Sequence, residues 1–292
     1  MTATAERQAE RTVLLTGCGS GIGRRTARAF AREGWTVYAT DLRADLLDPL
    51  ADECETAELD VTDSEQCEEV VARVADEAGG IDCLVNNAGF GVVGAIEDVS
   101  ADLAREQFDV LVHGPHRLAR AALPHLREAG TGRPGSGRIV NVSSVLGRAA
   151  FPGLGTYSSA KFALEGLTDA LRLEVAPEVE VAAVEPAWVR TNFEAAAMDR
   201  MADAERSSAY DDVYDLYERG AALDGGPLAV GPERVAETIL RAATDADPKT
   251  RYPVGWVARA IVSSRILPDR VRDRAIWRLA KSAIELRKWG LI

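Results

Sequence analysis

Short apolar runs alternate with amphipathic stretches along most of this chain. Thr12-Val-Leu-Leu-Thr16 is apolar without alternation, as a strand covered on both faces is. It runs into Gly17-Cys-Gly-Ser-Gly-Ile-Gly23, after which Ala27, Phe30 and Ala31 recur at helical spacing until Gly34. The alternation repeats: apolar runs at 35–40, 56–59, 81–85, 138–142 and 179–184 predict five more strands. Helical patterns lie between them, around Val70, Val71 and Val74, over 102–127, and over 156–173. The stretch 130–137, with its glycines, Pro134 and Ser136, predicts a loop. A further helix is expected at 232–243, and a seventh strand at 250–255, placed at a sheet edge by Pro253.

Six β-then-α units in series predict an α/β fold, a doubly wound parallel sheet of the Rossmann type with helices on both faces. In such sheets ligands bind beyond the C-terminal ends of the strands. Gly17, Asp41, Asp60, Asn87, Ser144 and Pro186 all fall at those ends. Strand, glycine turn and helix together point to a pyrophosphate site, where the backbone can come close and a helix N-terminus offers amides. Asp41, eighteen residues beyond Gly23, can accept hydrogen bonds from ribose hydroxyls and repels a 2′-phosphate, so NAD is favoured over NADP. Arg24, Arg25 and Arg43 lie close enough to compete with that reading.

Tyr157 and Lys161 stand four apart on a predicted helix and so share a face. A free phenol has a pKa of about 10, and a nearby ammonium is expected to lower it. Residues 192–230 break the alternation and carry Phe193, Met198, Met201, Tyr210, Tyr214 and Tyr217. They read either as a lid over an apolar substrate or as surface helix with an aromatic stripe.

Composition narrows the function classes. The 292 residues are 47% hydrophobic and 27% charged, as in a water-soluble globular protein, with a net charge of −12. That charge argues against a nucleic-acid partner. Lysine is scarce, at Lys161, Lys249, Lys281 and Lys288 alone. Cys18, Cys54, Cys67 and Cys83 have no metal-like spacing and predict free thiols in a reducing cytoplasm, with no metal site. Residues 1–11 show no apolar targeting segment, and no run is long enough to span a membrane.

The combination of Thr16-Gly17-x-x-x-Gly21-x-Gly23, Asn86-Asn87-Ala88-Gly89, Ser144 thirteen before Tyr157, Lys161, and Pro186 to Thr191 resembles the short-chain dehydrogenase/reductase family. The resemblance covers 12–191. It implies an NAD(P)-dependent oxidoreductase in which Tyr157 is the general acid/base, Lys161 lowers its pKa and holds the nicotinamide ribose, and Ser144 bonds the substrate oxygen. It places cofactor contacts at Gly17, Ser20, Gly21, Ile22, Gly23, Asp41, Asp60, Val61, Asn87, Ala88, Gly89, Tyr157, Lys161, Pro186, Val189 and Thr191. Phe151-Pro152, the run from Lys161 to Gly166, and the tail from Gly231 through Arg251-Tyr252 to Asp269 most resemble members acting on steroids, retinoids and other lipophilic alcohols. A small lipophilic alcohol or ketone is the expected substrate, and a homodimer or homotetramer the expected assembly. Leu111 stands where the family often has an Asn that holds a relay water, and Ala187 where Gly is usual. Leu111 is the feature that favours a second reading, a cofactor-binding sensor or scaffold with little turnover. A nucleotide-sugar epimerase would need different glycine spacing and a larger C-terminal domain.

The expected organisation is one catalytic domain at 1–255, with a lid near 192–230, and a C-terminal helical extension at 256–292. That extension is basic, and on a helix from Arg270 the residues Arg270, Arg274, Arg278, Lys281 and Lys288 share a face. Val271, Ala275, Ile276, Leu279, Ala280, Ala283 and Leu286 form the other side. Docking on the body, packing on a second subunit, and a peripheral contact with an anionic membrane are the three accounts open to it.

Overall fold

The computed structural model describes residues 11–129, 137–202, 206–218 and 226–288. Residues 1–10 lie outside them, as does the predicted loop at 130–137 except Gly137, which is the first residue of a strand. Seven parallel strands form one sheet in the order β3-β2-β1-β4-β5-β6-β7. They are β1 (Thr12–Thr16), β2 (Thr36–Asp41), β3 (Glu55–Glu58), β4 (Cys83–Asn86), β5 (Gly137–Val142), β6 (Val179–Pro186) and β7 (Arg251–Val254). The order reverses between β1 and β4, which opens a crevice at the C-terminal strand ends. β7 pairs only with β6, and Pro253 sits on that edge strand opposite Glu185.

The apolar runs are continuous because both sheet faces are covered. On one face α1 (Gly21–Arg32) and α8 (Pro232–Thr244) bring Ala27, Phe30, Val235 and Ile239 onto Val13, Leu15, Val85 and Val184. On the other, α2 (Ser64–Ala78) and α4 (Gly114–Ala129) bring Val70, Val74, Leu118 and Leu126 onto Leu14, Leu84 and Ile139. Asp63 caps α2, accepting from the Glu65 and Gln66 amides. The predicted helix at 102–127 is interrupted: α3 (Ala101–Phe108) passes through a π-helical turn, Asp109–His113, before α4 begins. α5 (Gly155–Val175) carries Tyr157 and Lys161 on its first turns.

A third apolar cluster lies beyond the strand ends, under α6 (Phe193–Ala202) and α7 (Asp211–Glu218). The tail forms α9 (Gly255–Ser263), against β6 and β7, and α10 (Asp269–Lys288), which contacts α7. Of the predicted apolar face of α10, Val271 and Ala275 are exposed and Ile276 is half-buried. The side chains of Leu279, Ala280, Lys281, Ala283, Leu286 and Lys288 lie outside the described residues, as does that of Met201. Among the described residues no helix is long and apolar enough to cross a membrane.

Candidate active site

The glycine turn after β1 is shaped by contacts that leave no room for side chains. Gly17 and Gly21 have φ of +71° and +48°, which side-chain-bearing residues rarely adopt. A Cβ on Gly23 would stand 2.0 Å from the Gly17 carbonyl oxygen. The Asn87 amide donates to the carbonyls of Thr16 (2.9 Å) and Gly17 (3.1 Å), while the Thr16 hydroxyl accepts the Asn87 and Ala88 N–H groups. Gly19 N–H donates to Asp41 at 2.8 Å. The ends of β1, β2 and β4 are thereby tied into one rim. Ser20 precedes α1 with an extended backbone and no side-chain cap, so the first-turn amides of that helix point outward at its positive end. This cradle fits a dinucleotide pyrophosphate, with Asp41 placed for a ribose.

The remaining predicted contacts border the same rim. The Asp60 carboxylate accepts from the Thr62 amide and hydroxyl, and Val61 is buried against Gly114. Ile22 packs on the first core cluster, and the Thr191 methyl lies beside Gly21. Val189 bridges to Val230, and Gly89 abuts Leu111. The three competing arginines are all engaged. Arg24 donates to the Gly19 and Leu46 carbonyls, Arg25 pairs with Glu233 at 3.1 Å, and Arg43 pairs with Asp45 at 2.5 Å.

Tyr157, Lys161 and Ser144 meet where β5 ends. Lys161 Nζ donates to the Val142 carbonyl at 2.8 Å and lies 5.7 Å from the centre of the Tyr157 ring. The Ser144 hydroxyl accepts the Leu146 N–H at 3.1 Å and reaches the Pro186 carbonyl at 3.5 Å. The expectation that the ammonium lowers the phenol pKa fails in this state. Burial pushes Tyr157 well above its ordinary value, and a hydrogen bond with Ser144 pulls it only partly back. Lys161 is itself depressed to about 8 by burial, with the Glu165 carboxylate opposing. The arrangement is a buried, protonated phenol with the Lys161 cation near its ring and the Ser144 hydroxyl beside it.

The aromatic stretch after β6 covers this centre. Phe193 meets the Tyr157 ring edge at 5.6 Å, and its own ring lies close against Gly91. Tyr214 donates to Asp98 at 2.6 Å, Tyr210 to Glu97 at 2.6 Å, and Tyr217 to the Pro152 carbonyl. Val93, Leu154, Ala197, Val213, Leu216 and Tyr217 complete an apolar wall around Tyr157. Of the stretch 192–230, the described residues place Phe193 against Tyr157 and tie Tyr210, Tyr214 and Tyr217 to Glu97, Asp98 and Pro152, while 203–205 and 219–225 lie outside the described residues.

Leu111 lies in the π-turn, fully buried in that same wall, and a Cβ on Gly89 would stand 2.6 Å from its Cδ2. His113 is exposed. Leu111→Asn would replace packed methyls with a buried amide, so it should destabilise the fold by about 2–4 kcal/mol. Thermal unfolding checks this, and an unchanged Tm would show that the wall has room for a polar group.

Sequence reasoning missed three features: Asp98 and Pro152 as anchors of the cover, the π-turn, and a buried carboxylate pair behind Lys161. The last had one visible signal, Glu165 four residues after Lys161.

Comparison with known proteins agrees with this geometry. The family model for short chain dehydrogenase matches residues 11–202. The uncharacterized oxidoreductase YbbO of Escherichia coli K12 is 34% identical, covering 91% of this chain and 94% of its own. Retinol dehydrogenase 5 of Mus musculus is 33% identical over 93% of this chain and 89% of its own. A short-chain dehydrogenase structure from Streptomyces avermitilis superposes with TM-score 0.78 at 34% identity, covering 97% of both chains. Two solved structures at 25% identity hold cofactors. One, from Burkholderia phymatum, binds NAD (TM-score 0.74, 88% and 92% covered), and one, from Burkholderia cenocepacia, binds NADP (0.70, 93% and 98%).

Proposed function

The chain belongs to the short-chain dehydrogenase family of NAD(P)-dependent oxidoreductases, and we propose that it interconverts a secondary alcohol and a ketone on a lipophilic substrate. The observation that carries this reading is the buried Tyr157 phenol, beside Ser144, one helical turn from Lys161 and walled by apolar side chains. Ser144 holds the substrate oxygen, and Tyr157 gives it a proton in reduction or takes one in oxidation. Lys161 supplies the positive charge that makes a phenolate affordable, acting with its hydrogen bond to Val142 to keep the ammonium in place. A bound nicotinamide supplies or accepts the hydride. Gly17, Ser20, Gly21, Ile22 and Gly23 would hold its phosphates, and Asn87, Ala88, Gly89, Pro186, Val189 and Thr191 would border the rest. The walls of the third cluster exclude water and suit a hydrocarbon skeleton. A relative named for retinol, a lipophilic alcohol, supports that substrate class.

NAD is the favoured cofactor. Asp41 would face a 2′-phosphate with like charge, and Arg24, Arg25 and Arg43 already have partners. Asp41→Asn keeps an acceptor for the Gly19 amide while removing the charge. It should raise the NADP-to-NAD ratio of kcat/KM by about 10–100-fold, equivalent to roughly 1.4–2.7 kcal/mol. Kinetics with both cofactors on hydroxysteroids, retinol and medium-chain secondary alcohols test both proposals. Wild-type preference for NADP would overturn the cofactor assignment, and turnover confined to small polar alcohols would overturn the substrate class.

A further inference from the structure

Behind the catalytic lysine the fold buries a second group of charges. Glu165 follows Lys161 by one turn of α5 and is 4% exposed, and Glu185, the penultimate residue of β6, is 0% exposed. Arg251 of β7 donates to Glu165 at 2.9 Å and to both oxygens of Asp169 at 2.7 Å, with Nε 3.6 Å from Glu185. Arg148, in the turn after β5, approaches Glu185 at 3.7 Å and Glu165 at 3.9 Å. Arg172 pairs with the outer carboxylate, Asp169, at 2.7 Å. Two strands, β6 and β7, the turn after β5 and α5 therefore converge on two carboxylates inside the protein.

The group is expensive and only partly satisfied. Both oxygens of Glu185, one oxygen of Glu165 and the Ser143 hydroxyl are buried without hydrogen-bond partners. Hydrophobic residues would fill this space at lower cost. The cluster also abuts the catalytic strand end: a Cβ on Gly147 would lie 2.9 Å from both Glu165 Cγ and the Lys161 carbonyl, and 3.0 Å from Ser143 Oγ. Lys161 has the Val142 carbonyl as a hydrogen-bond partner, but a carbonyl carries no net charge.

We infer that Glu165, gripped together with Glu185 by Arg148 and Arg251, is a positioning residue that keeps Lys161 charged inside a dry site. Burial alone drives Lys161 toward neutrality, and Glu165 is the carboxylate that opposes this. Burial, then the like charge of Glu165, push Glu185 up to about 7. Glu185 thus gains its charge as pH rises through neutrality, adding negative charge to the cluster as Lys161 nears its own deprotonation. Two unit charges about 6 Å apart in a partly screened interior interact by roughly two pH units. Asp169, paired with Arg251 and partly exposed, is not among the groups acting on Lys161.

The inference rests on the reading of Lys161 as part of the catalytic site, but its test does not. With four lysines in the chain, ε-15N-lysine labelling of the cofactor-free protein gives four Nζ signals to titrate by NMR, and Lys161→Met identifies the relevant one. The expected result is a Lys161 midpoint near 8 that falls by about one unit or more in Glu165→Gln and less in Glu185→Gln. Asp169→Asn, which also touches Arg251, should leave it within a few tenths. The alkaline limb of the kcat profile should move down in the same order. If Glu165→Gln does not fold, Glu165→Asp should shift the midpoint in the same direction by a smaller amount. An unmoved Lys161 midpoint in a folded Glu165 variant overturns the inference, whatever its activity. If Lys161→Met kept full turnover, the catalytic reading of Lys161 would fall instead.

Discussion

Tyr157→Phe should lower kcat by about 1,000-fold, within the 100- to 10,000-fold range typical of a lost general acid/base, while NAD affinity stays within a few fold. The substitution removes one oxygen and no packing surface. The ring would keep its place against Phe193 and within the third cluster. Ser144 would still reach the Pro186 carbonyl, and the glycine cradle lies on other elements. Only the proton donor is lost, so the effect belongs in kcat rather than in cofactor binding. Steady-state kinetics with calorimetric titration of NAD separate the two quantities. More than a tenth of wild-type activity would show that another group moves the proton.

Gly23→Ala should weaken cofactor binding by 100-fold or more and lower Tm by several degrees. The added Cβ would meet the Gly17 carbonyl oxygen at 2.0 Å and the Asn87 amide nitrogen at 2.7 Å. That amide is the tie between the glycine turn and β4, so neither neighbour can move without opening the rim. Overpacking of this kind costs about 1–3 kcal/mol in stability, and the loss falls on the backbone that faces the phosphates. Gly166 is the matched control: a Cβ there meets nothing within 4 Å, on an exposed position of α5. Gly166→Ala should leave binding unchanged and stabilise by about 0.5–1 kcal/mol, as Ala does in an exposed helix. Equal behaviour of the two variants in titration and thermal unfolding would contradict this account of the cradle.

The inner strands β1, β4, β5 and β6 were legible in the sequence because both faces of the sheet are covered there, so that their residues are buried nearly throughout rather than in alternation. β3 and β7, at the sheet edges, are only partly buried. β1 is found at the residues where its run lies, and Pro253 marks the edge strand because an edge can spare one donor. The glycine turn, Asp41 and the Tyr157–Lys161 pair were legible because their spacing along one segment sets their geometry. What escaped depends on contacts between distant segments. The π-turn at Asp109–His113 adds a fraction of a residue per turn over five positions, too little to disturb the helical pattern of 102–127. Tyr214 and Asp98 are far apart in sequence, and nothing local marks them as a pair. The pKa of Tyr157 went the other way because the sequence gives proximity to Lys161 but not the depth of burial, and burial dominates. The same blindness to depth hid the cluster of Glu165 and Glu185: the four-residue step from Lys161 to Glu165 looks like any surface pair on a helix, and Glu185 is distant in sequence.

The central claim is that hydride passes between a substrate carbon and a nicotinamide while Tyr157 moves the proton. Single-turnover reaction of the protein with NAD and a secondary alcohol deuterated at the carbinol carbon, read by mass spectrometry of the recovered cofactor, tests it most directly. The account predicts deuterium in the reduced nicotinamide for wild-type protein and little or none for Tyr157→Phe at equal cofactor occupancy. Cofactor bound at full occupancy with no deuterium transferred from any lipophilic alcohol, and none passed from deuterated reduced cofactor to the matching ketones, would contradict it and mark the chain as a cofactor-binding sensor.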